Sequence, residues 1–145
     1  MPRIERSARV AWRGSVARGS GTLTAASGAF SDLPFTLASR IGDPEGKTSP
    51  EELLAAAHAG CFAMSLGSEL ARDGTPPDAV DVACTIVMDE VEGQGHQIVG
   101  SQVEVRAESE ASPEALDAAL ARADEGCPFS ALLKRAGADV QVRLV

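Results

Sequence analysis

The length, composition and charge of this chain exclude several classes of protein. Its 145 residues fit a single domain, and 44% hydrophobic residues are enough for a core without a structural metal or disulfide staple. A net charge of −8 argues against nucleic-acid binding, because binding to phosphates needs a basic surface. No apolar run approaches the ~20 residues of a membrane span, and the first residues lack a signal-peptide stretch. We therefore expect a cytoplasmic protein that has neither nucleic acid nor membrane among its partners.

Residues 8 to 48 have the pattern of short strands followed by a loop. Val10 and Trp12 alternate with polar or small residues, as in a half-buried strand. Further strands are predicted around 21–24 and 34–39. The stretch 40–48 contains two Gly and one Pro, which predicts a loop.

The next segment begins with strong helix-start signals. In Ser49-Pro50-Glu51-Glu52, Ser is a preferred N-cap, Pro fits the first helical position, and Glu at the third position closes a capping box. Apolar residues continue to about Arg72, and Asp73-Gly74-Thr75-Pro76-Pro77 ends the helix. The middle is rich in Ala and Gly, so the sequence predicts a long buried helix.

The remainder of the chain predicts a hairpin, two helices and a last strand. Alternating apolar residues at 80–88 and at 99–105 flank a Gly-containing turn, as in an antiparallel hairpin. Ser112-Pro113-Glu114 begins a second helix that Gly126 ends, and Pro128 begins a short third helix with Cys127 near its N-cap. Residues 140–144 form the last strand. The pattern predicts an α+β fold in one domain, residues 1–145, with antiparallel sheet and helices on one face.

The chain has three cysteines, an odd number that does not fit a secreted disulfide framework. Cys84 lies on the apolar side of its strand, where it is predicted to be inert packing. Cys61 lies in the Ala-rich helix, where packing and redox roles are equally compatible with its position. Cys127 lies at a helix N-terminus, which lowers the pKa of a thiol and favours the thiolate. A disulfide in a reducing compartment would be transient.

Other residues near these cysteines have both structural and chemical interpretations. His58 lies three residues before Cys61 and thus on the same side of the helix. It fits a hydrogen-bonded core histidine, a base, or a metal ligand with Cys61 and Cys127, although no Cys-x-x-Cys or His-x-x-x-His spacing supports a zinc site. Arg18 and Arg40 lie in or beside Gly-containing segments, where each is either a solvated charge or a cation that lowers a thiol pKa.

Two separated motifs resemble those of one family. They are Thr48-Ser-Pro-Glu-Glu-Leu-Leu-Ala-Ala-Ala-His-Ala-Gly-Cys61-Phe62 and Gly126-Cys127-Pro-Phe-Ser130. Together with the order of strands along nearly the whole chain, they resemble the osmotically inducible protein C/organic hydroperoxide resistance (OsmC/Ohr) family of thiol peroxidases. The resemblance implies antiparallel sheets wrapped around two central helices in an intertwined homodimer. It also accounts for a helix longer than one small domain needs.

The resemblance implies a reaction as well. Family members reduce organic hydroperoxides to alcohols without metal or bound cofactor. By analogy Cys61 is the peroxidatic cysteine, Cys127 is the resolving cysteine, and an external dithiol, with a lipoylated protein as one candidate, reopens their disulfide. The helix-end argument favours Cys127 as the more acidic thiol instead. We follow the family, because an arginine near Cys61 in a poorly solvated site outweighs a helix end.

The resemblance also implies an arginine and a substrate site. Arg40 fits the position used by the OsmC branch, where it would hold the thiolate and polarise the peroxide, and Glu51 would orient its guanidinium. Arg18 matches the Ohr position less well and is assigned to substrate binding. An apolar pocket suited to bulky organic peroxides is expected from Phe62, Met64 and Phe129.

Two other functions remain open on the sequence alone. One is a redox-sensing interaction protein that uses oxidation of the same cysteine pair to change its surface. The other is a metal-binding module in which His58 and Cys61 hold the ion.

Overall fold

The computed structural model describes all 145 residues, which divide into two compact units, Met1–Pro50 and Glu51–Val145. A single domain over the whole chain stays a prediction.

The first unit is built on a three-stranded antiparallel sheet. Its strands are β1 (Ala8–Arg13), β2 (Ser20–Ala25) and β3 (Leu33–Phe35), and they lie in chain order. The rings of Trp12 and Phe35 lie on either side of Gly21, with centroids 5.4 Å apart. A Cβ at Gly21 would come within 2.7 Å of both rings, so only glycine allows this aromatic pair to close over β2.

The third strand is shorter than predicted, because a helix begins directly after it. The strand predicted at 34–39 ends at Phe35, and α1 (Leu37–Ile41) follows. Thr36 caps this helix: its Oγ1 accepts from the Ser39 N–H at 3.0 Å, and Ser39 Oγ accepts from the Thr36 N–H at 3.1 Å. The loop predicted from residue 40 is therefore wrong at its start, and Arg40 lies in a helix.

The long helix α2 (Pro50–Arg72) is confirmed with the bounds that the capping signals predict. It buries one side chain at every fourth position, in a single row that faces the core of the second unit. This row contains His58, Phe62, Leu66 and Leu70. By length and composition alone α2 is also long and apolar enough to cross a membrane, a property that core helices of soluble proteins share.

The second unit contains another three-stranded sheet, formed by β4 (Ala79–Val91), β5 (Gly95–Glu108) and β6 (Asp139–Leu144). The hairpin of β4 and β5 is confirmed, whereas β6 pairs with β5 in parallel. The prediction of a purely antiparallel sheet is therefore wrong for this pair. Two helices, α3 (Pro113–Gly126) and α4 (Pro128–Arg135), connect β5 to β6 and return the chain to the end where β5 began.

The core of the second unit lies between α2, β5 and α3. Its fully buried members include Phe62, Leu66 and Leu70 from α2, and Val103 and Val105 from β5. The contacts from α3 come from small residues such as Ala119 and Ala123, which are also fully buried. Small side chains let this helix approach closely. Ser112 caps α3 as predicted, since its side chain accepts from the Ala115 N–H at 3.2 Å.

Candidate functional site

The second unit brings two of the three cysteines together. Cys61 lies on α2 and is partly buried, and Cys127 is the fully buried N-cap residue of α4. Cys127 is close enough to raise the pKa of Cys61, and both residues belong to or pack against the apolar core. We call Cys61 and Cys127 the cysteine pair. Both are free cysteines.

The surroundings of Cys61 act on its ionisation in opposite directions. Burial raises the pKa of the Cys61 thiol, and the interaction with Cys127 raises it further. Hydrogen bonds from the Phe129 backbone and the Ser65 side chain lower the pKa only in part. The net effect favours the neutral thiol, so this thiol needs a nearby cation to react as a thiolate at neutral pH.

The N-terminus of α4 lowers the pKa of Cys61, an effect that sequence reasoning did not predict. Phe129 belongs to the first turn of α4, and its backbone hydrogen bond goes to Cys61. The helix-end argument had assigned this effect to Cys127. A free N–H at a helix start stabilises whichever anion it faces, and here the favourable contact belongs to the sulfur that the family comparison makes the nucleophile.

A buried cluster of one histidine and two serines lies beside the cysteine pair. His58 Nδ1 lies 2.8 Å from Ser101 Oγ, and His58 Nε2 lies 2.8 Å from Ser130 Oγ. All three residues have no exposed surface. Burial lowers the pKa of His58, although the nearby Asp124 carboxylate opposes this. The imidazole is therefore neutral at pH 7, with one nitrogen donating and the other accepting.

We call His58, Ser101 and Ser130 the histidine–serine cluster. His58 is the hydrogen-bonded core histidine that the sequence allowed, and both serines were missed. Because each ring nitrogen already contacts a hydroxyl group, the ring is not arranged as a metal ligand. No group of three or more His, Cys, Asp or Glu side chains in residues 1–145 is placed to hold a metal ion.

Cys84 lies at the edge of this cluster and outside the cysteine pair. Its Sγ is 3.3 Å from Ser101 Oγ and 3.8 Å from His58 Nδ1. Burial raises the pKa of Cys84, which keeps the thiol neutral. The packing role predicted from its position on β4 agrees with this environment.

The three side chains predicted to form a substrate pocket lie in different surroundings. Phe62 is fully buried in the core, whereas Met64 is 73% exposed. Positions two apart on a helix point in different directions, so these two side chains do not line one pocket within the second unit. Phe129 is partly buried and packs against the core beside Cys127.

Arg40 lines a pocket that was not predicted. This pocket lies in the first unit, has a volume of about 210 Å³, and is lined by Trp12, Val16, Phe35, Thr36, Leu37 and Arg40. Arg18 is exposed in the connection between β1 and β2, where its backbone N–H donates to Ser15 Oγ at 3.3 Å. Glu51 lies in the first turn of α2. The pocket contains two of the chain's five aromatic residues, a concentration that could have drawn attention to it in the sequence.

Comparison with known proteins identifies the class to which this fold and these motifs belong. The sequence profile of the OsmC-like protein family matches residues 42–143. The chain is 32% identical over 136 residues to Peroxiredoxin OsmC of Escherichia coli (strain K12), covering 90% of this chain and 91% of that one. This chain belongs to the OsmC-like family.

Solved structures agree on the fold. The organic hydroperoxide resistance protein OhrB of Bacillus subtilis superposes with a TM-score of 0.75 at 25% identity, covering 96% of this chain and 98% of the other. An organic hydroperoxide resistance protein OsmC from Legionella pneumophila gives a TM-score of 0.76 at 20% identity, covering 95% and 96%. The fold predicted from the motifs is confirmed.

Proposed function

We propose that this protein is a cysteine-based peroxidase that reduces organic hydroperoxides to alcohols in the cytoplasm. The observation that carries the proposal is the pair of free thiols that the core brings together, Cys61 on α2 and Cys127 at the start of α4. The names of its relatives, a peroxiredoxin and an organic hydroperoxide resistance protein, support the same chemistry.

The reaction proceeds in two steps at the cysteine pair. The Cys61 thiolate attacks the outer oxygen of the hydroperoxide, the O–O bond breaks, and the alkoxide takes a proton and leaves as alcohol. Cys61 is then a sulfenic acid. The Cys127 sulfur attacks the Cys61 sulfur, an S–S bond forms, and the hydroxyl group leaves as water. An external dithiol supplies two electrons and two protons to restore both thiols, and a lipoylated protein is one candidate for this reductant.

Arg40 is proposed to supply the cation that Cys61 needs. The raised pKa of Cys61 creates the requirement, and a guanidinium brought near the thiol would meet it because an opposite charge favours the thiolate. Arg40 lines the apolar pocket of the first unit. By the family resemblance, Glu51 orients this guanidinium and Arg18 contributes to substrate binding.

The apolar pocket of the first unit supports an organic substrate over hydrogen peroxide. Trp12 and Phe35 line it beside Arg40, which combines an apolar surface with one cationic group. Of the residues predicted to bind substrate, Phe129 acts on Cys61 through its backbone. Phe62 is buried in the core and Met64 is exposed, so these two side chains do not line one pocket.

A homodimer is proposed for the functional state. The side of α2 opposite the buried row is exposed and consists of small or apolar residues in its central part: Ala56, Gly60 and Met64. Five of the six residues of β1 are exposed as well. Uncovered surfaces of this kind are typical of interfaces, and an intertwined pair of chains would cover them.

The direct test is hydroperoxide consumption with dithiothreitol as reductant. Cumene hydroperoxide should be consumed with many turnovers and with a higher kcat/KM than hydrogen peroxide. Cys84→Ser is the matched control, because it removes the cysteine outside the pair, and it should retain activity. Equal kcat/KM for both peroxides would contradict the organic-substrate proposal. Disulfide formation without turnover would favour the redox-sensing alternative instead.

A further inference from the structure

The histidine–serine cluster and the cysteine pair connect the same two helices in a regular arrangement. His58 lies three residues before Cys61 on α2, and Ser130 lies three residues after Cys127, in the first turn of α4. The His58–Ser130 and Cys61–Cys127 contacts therefore follow one another along α2 and the start of α4, which run in opposite directions. They are about one helical turn apart.

The His58–Ser130 contact fixes α4, the helix that begins at the resolving thiol. Cys127 is the N-cap of α4, its carbonyl accepts from the Ala131 N–H at 3.0 Å, and Pro128 occupies the first helical position. Cys127 itself has no side-chain capping hydrogen bond. Cys127 is also the C-cap of α3, so its position depends on how both helices are held, and His58 Nε2 holds α4 through Ser130.

The other ring nitrogen, Nδ1, anchors His58 to the second sheet. His58 Nδ1 contacts Ser101, which is fully buried on β5. A neutral imidazole whose two nitrogens both contact buried hydroxyl groups has a fixed orientation. The Ser101 contact therefore helps to orient the ring, while the Ser130 contact is the one that reaches α4.

We infer that His58 is a positioning residue for disulfide closure: through Ser130 it places Cys127 for attack on the Cys61 sulfenic acid. The inference rests on the proposed function. The step that it affects is the formation of the S–S bond with loss of water. A disulfide requires its two Cβ atoms to be about 3.8 Å apart, so a shift of α4 that leaves peroxide attack unchanged still slows closure.

The test separates the two steps of one turnover. Reduced protein is mixed with one equivalent of cumene hydroperoxide, and samples are quenched in acid at intervals. Intact mass follows the loss of the reduced protein, which reports attack on the peroxide, and the appearance of the disulfide, which reports closure. In a parallel reaction dimedone traps the sulfenic acid before closure. Ser130→Ala is the main variant and His58→Gln is the second, because Gln retains a donor and an acceptor. His96→Ala is the control, since His96 is the other histidine and is exposed.

In Ser130→Ala we expect closure to slow about tenfold, the size of effect given by one buried hydrogen bond, while the rate of sulfenic acid formation stays within about twofold. More sulfenic acid should be trapped, and excess peroxide should produce more Cys61 with two added oxygen atoms. Ser101→Ala removes an equally short bond to the same ring but one that does not reach α4, so it should slow closure several-fold less. His58→Gln should fall between the wild type and Ser130→Ala, and His96→Ala should match the wild type.

Three results would overturn the inference. One is closure at the wild-type rate in Ser130→Ala. Another is an equal loss of both steps, which would mean general loss of structure. The third is equal effects of Ser101→Ala and Ser130→Ala. If the wild-type protein itself forms no sulfenic acid, the proposed peroxidase function fails, and this result is distinguishable because it appears before any variant is compared.

Discussion

His58 Nε2 lies 2.8 Å from Ser130 Oγ inside the core, one helical turn before Cys61 and one turn after Cys127. A buried polar contact of this kind is costly to leave unsatisfied, so it restricts α2 and α4 to one relative placement. The free thiols of Cys61 and Cys127 interact one helical turn away along the same two helices. The redox pair and the buried polar contact are thus parts of the same junction between helices.

The two cysteines should fail in different ways when replaced. Cys61→Ser should abolish hydroperoxide consumption, because the attacking sulfur is gone. Cys127→Ser should consume about one equivalent and then stall or over-oxidise, because the sulfenic acid has no resolving thiol. Single-turnover consumption followed by intact mass distinguishes the two. A Cys61→Ser protein that still consumes many equivalents would assign the attack to another residue.

Removal of Arg40 should raise the pKa of Cys61 further. Burial and the interaction with Cys127 raise this pKa, and in the proposed site the Arg40 guanidinium opposes them, so its loss should raise the pKa further. In Arg40→Met the rate of Cys61 alkylation by iodoacetamide at pH 7 should fall about tenfold for each unit of pKa increase. The measurement is peptide mass spectrometry across a pH series. Arg18→Met is the matched control, and a larger shift in Arg18→Met would transfer the role to Arg18.

The buried imidazole predicts a loss of stability in acid. Burial lowers the pKa of His58 in the folded state, so below its ordinary value of 6.5 the unfolded chain binds a proton that the folded chain does not. The free energy of unfolding should therefore be fully maintained above pH 6.5 and decrease as pH falls through it towards the lowered pKa. Urea unfolding of wild type and His58→Gln between pH 8 and 5 measures the difference.

His96→Gln serves as the control for this pH dependence. His96 is exposed and should retain the wild-type decline, while His58→Gln should show a shallower one. Parallel curves for the wild type and His58→Gln would mean that carboxylates alone cause the acid sensitivity.

Phe62 should contribute to stability more than to substrate binding. Its side chain is fully buried in the core cluster that also contains Leu66 and Val103. Phe62→Ala should lower the free energy of unfolding by about 3–5 kcal/mol, as expected for a large core side chain. Leu132→Ala is a control at an exposed position and should change it by less than about 0.5 kcal/mol. Urea unfolding provides both values, and a small change in Phe62→Ala would contradict its assignment to the core.

A charged residue introduced on the exposed side of α2 should prevent formation of the proposed dimer. A Cβ at Gly60 would have no atom within 4 Å in the single chain, so Gly60→Glu should fold normally. It should nevertheless sediment as a monomer, because an unpaired carboxylate cannot be buried in an apolar interface. Sedimentation velocity tests this. A wild-type monomer, or a Gly60→Glu dimer, would contradict the proposed interface.

The sequence allowed prediction of the elements whose signals are local. The capped start of α2, the β4–β5 hairpin and the position of Cys127 at a helix start all follow from residues within a few positions. The helix α1 was missed although Thr36 and Ser39 form a capping box, because the usual box has Glu or Gln at its third position.

The site depended on contacts that no local signal reports. Ser101 and Ser130 are 43 and 72 positions from His58, and an isolated serine in a strand or helix gives no indication of its partner. The Phe129 contact to Cys61 likewise became apparent only when α4 was placed against α2. Sequence reasoning therefore identified the cysteines and needed the fold to decide which one the helix end favours.

The central claim is that Cys61 and Cys127 act together on an organic hydroperoxide. The most direct measurement is the thiol count and intact mass after one equivalent of cumene hydroperoxide, followed by peptide mapping. The account predicts loss of two thiols per chain and a Cys61–Cys127 link that dithiothreitol reverses, with Cys84 still free. An unchanged thiol count, or a link that includes Cys84, would contradict it.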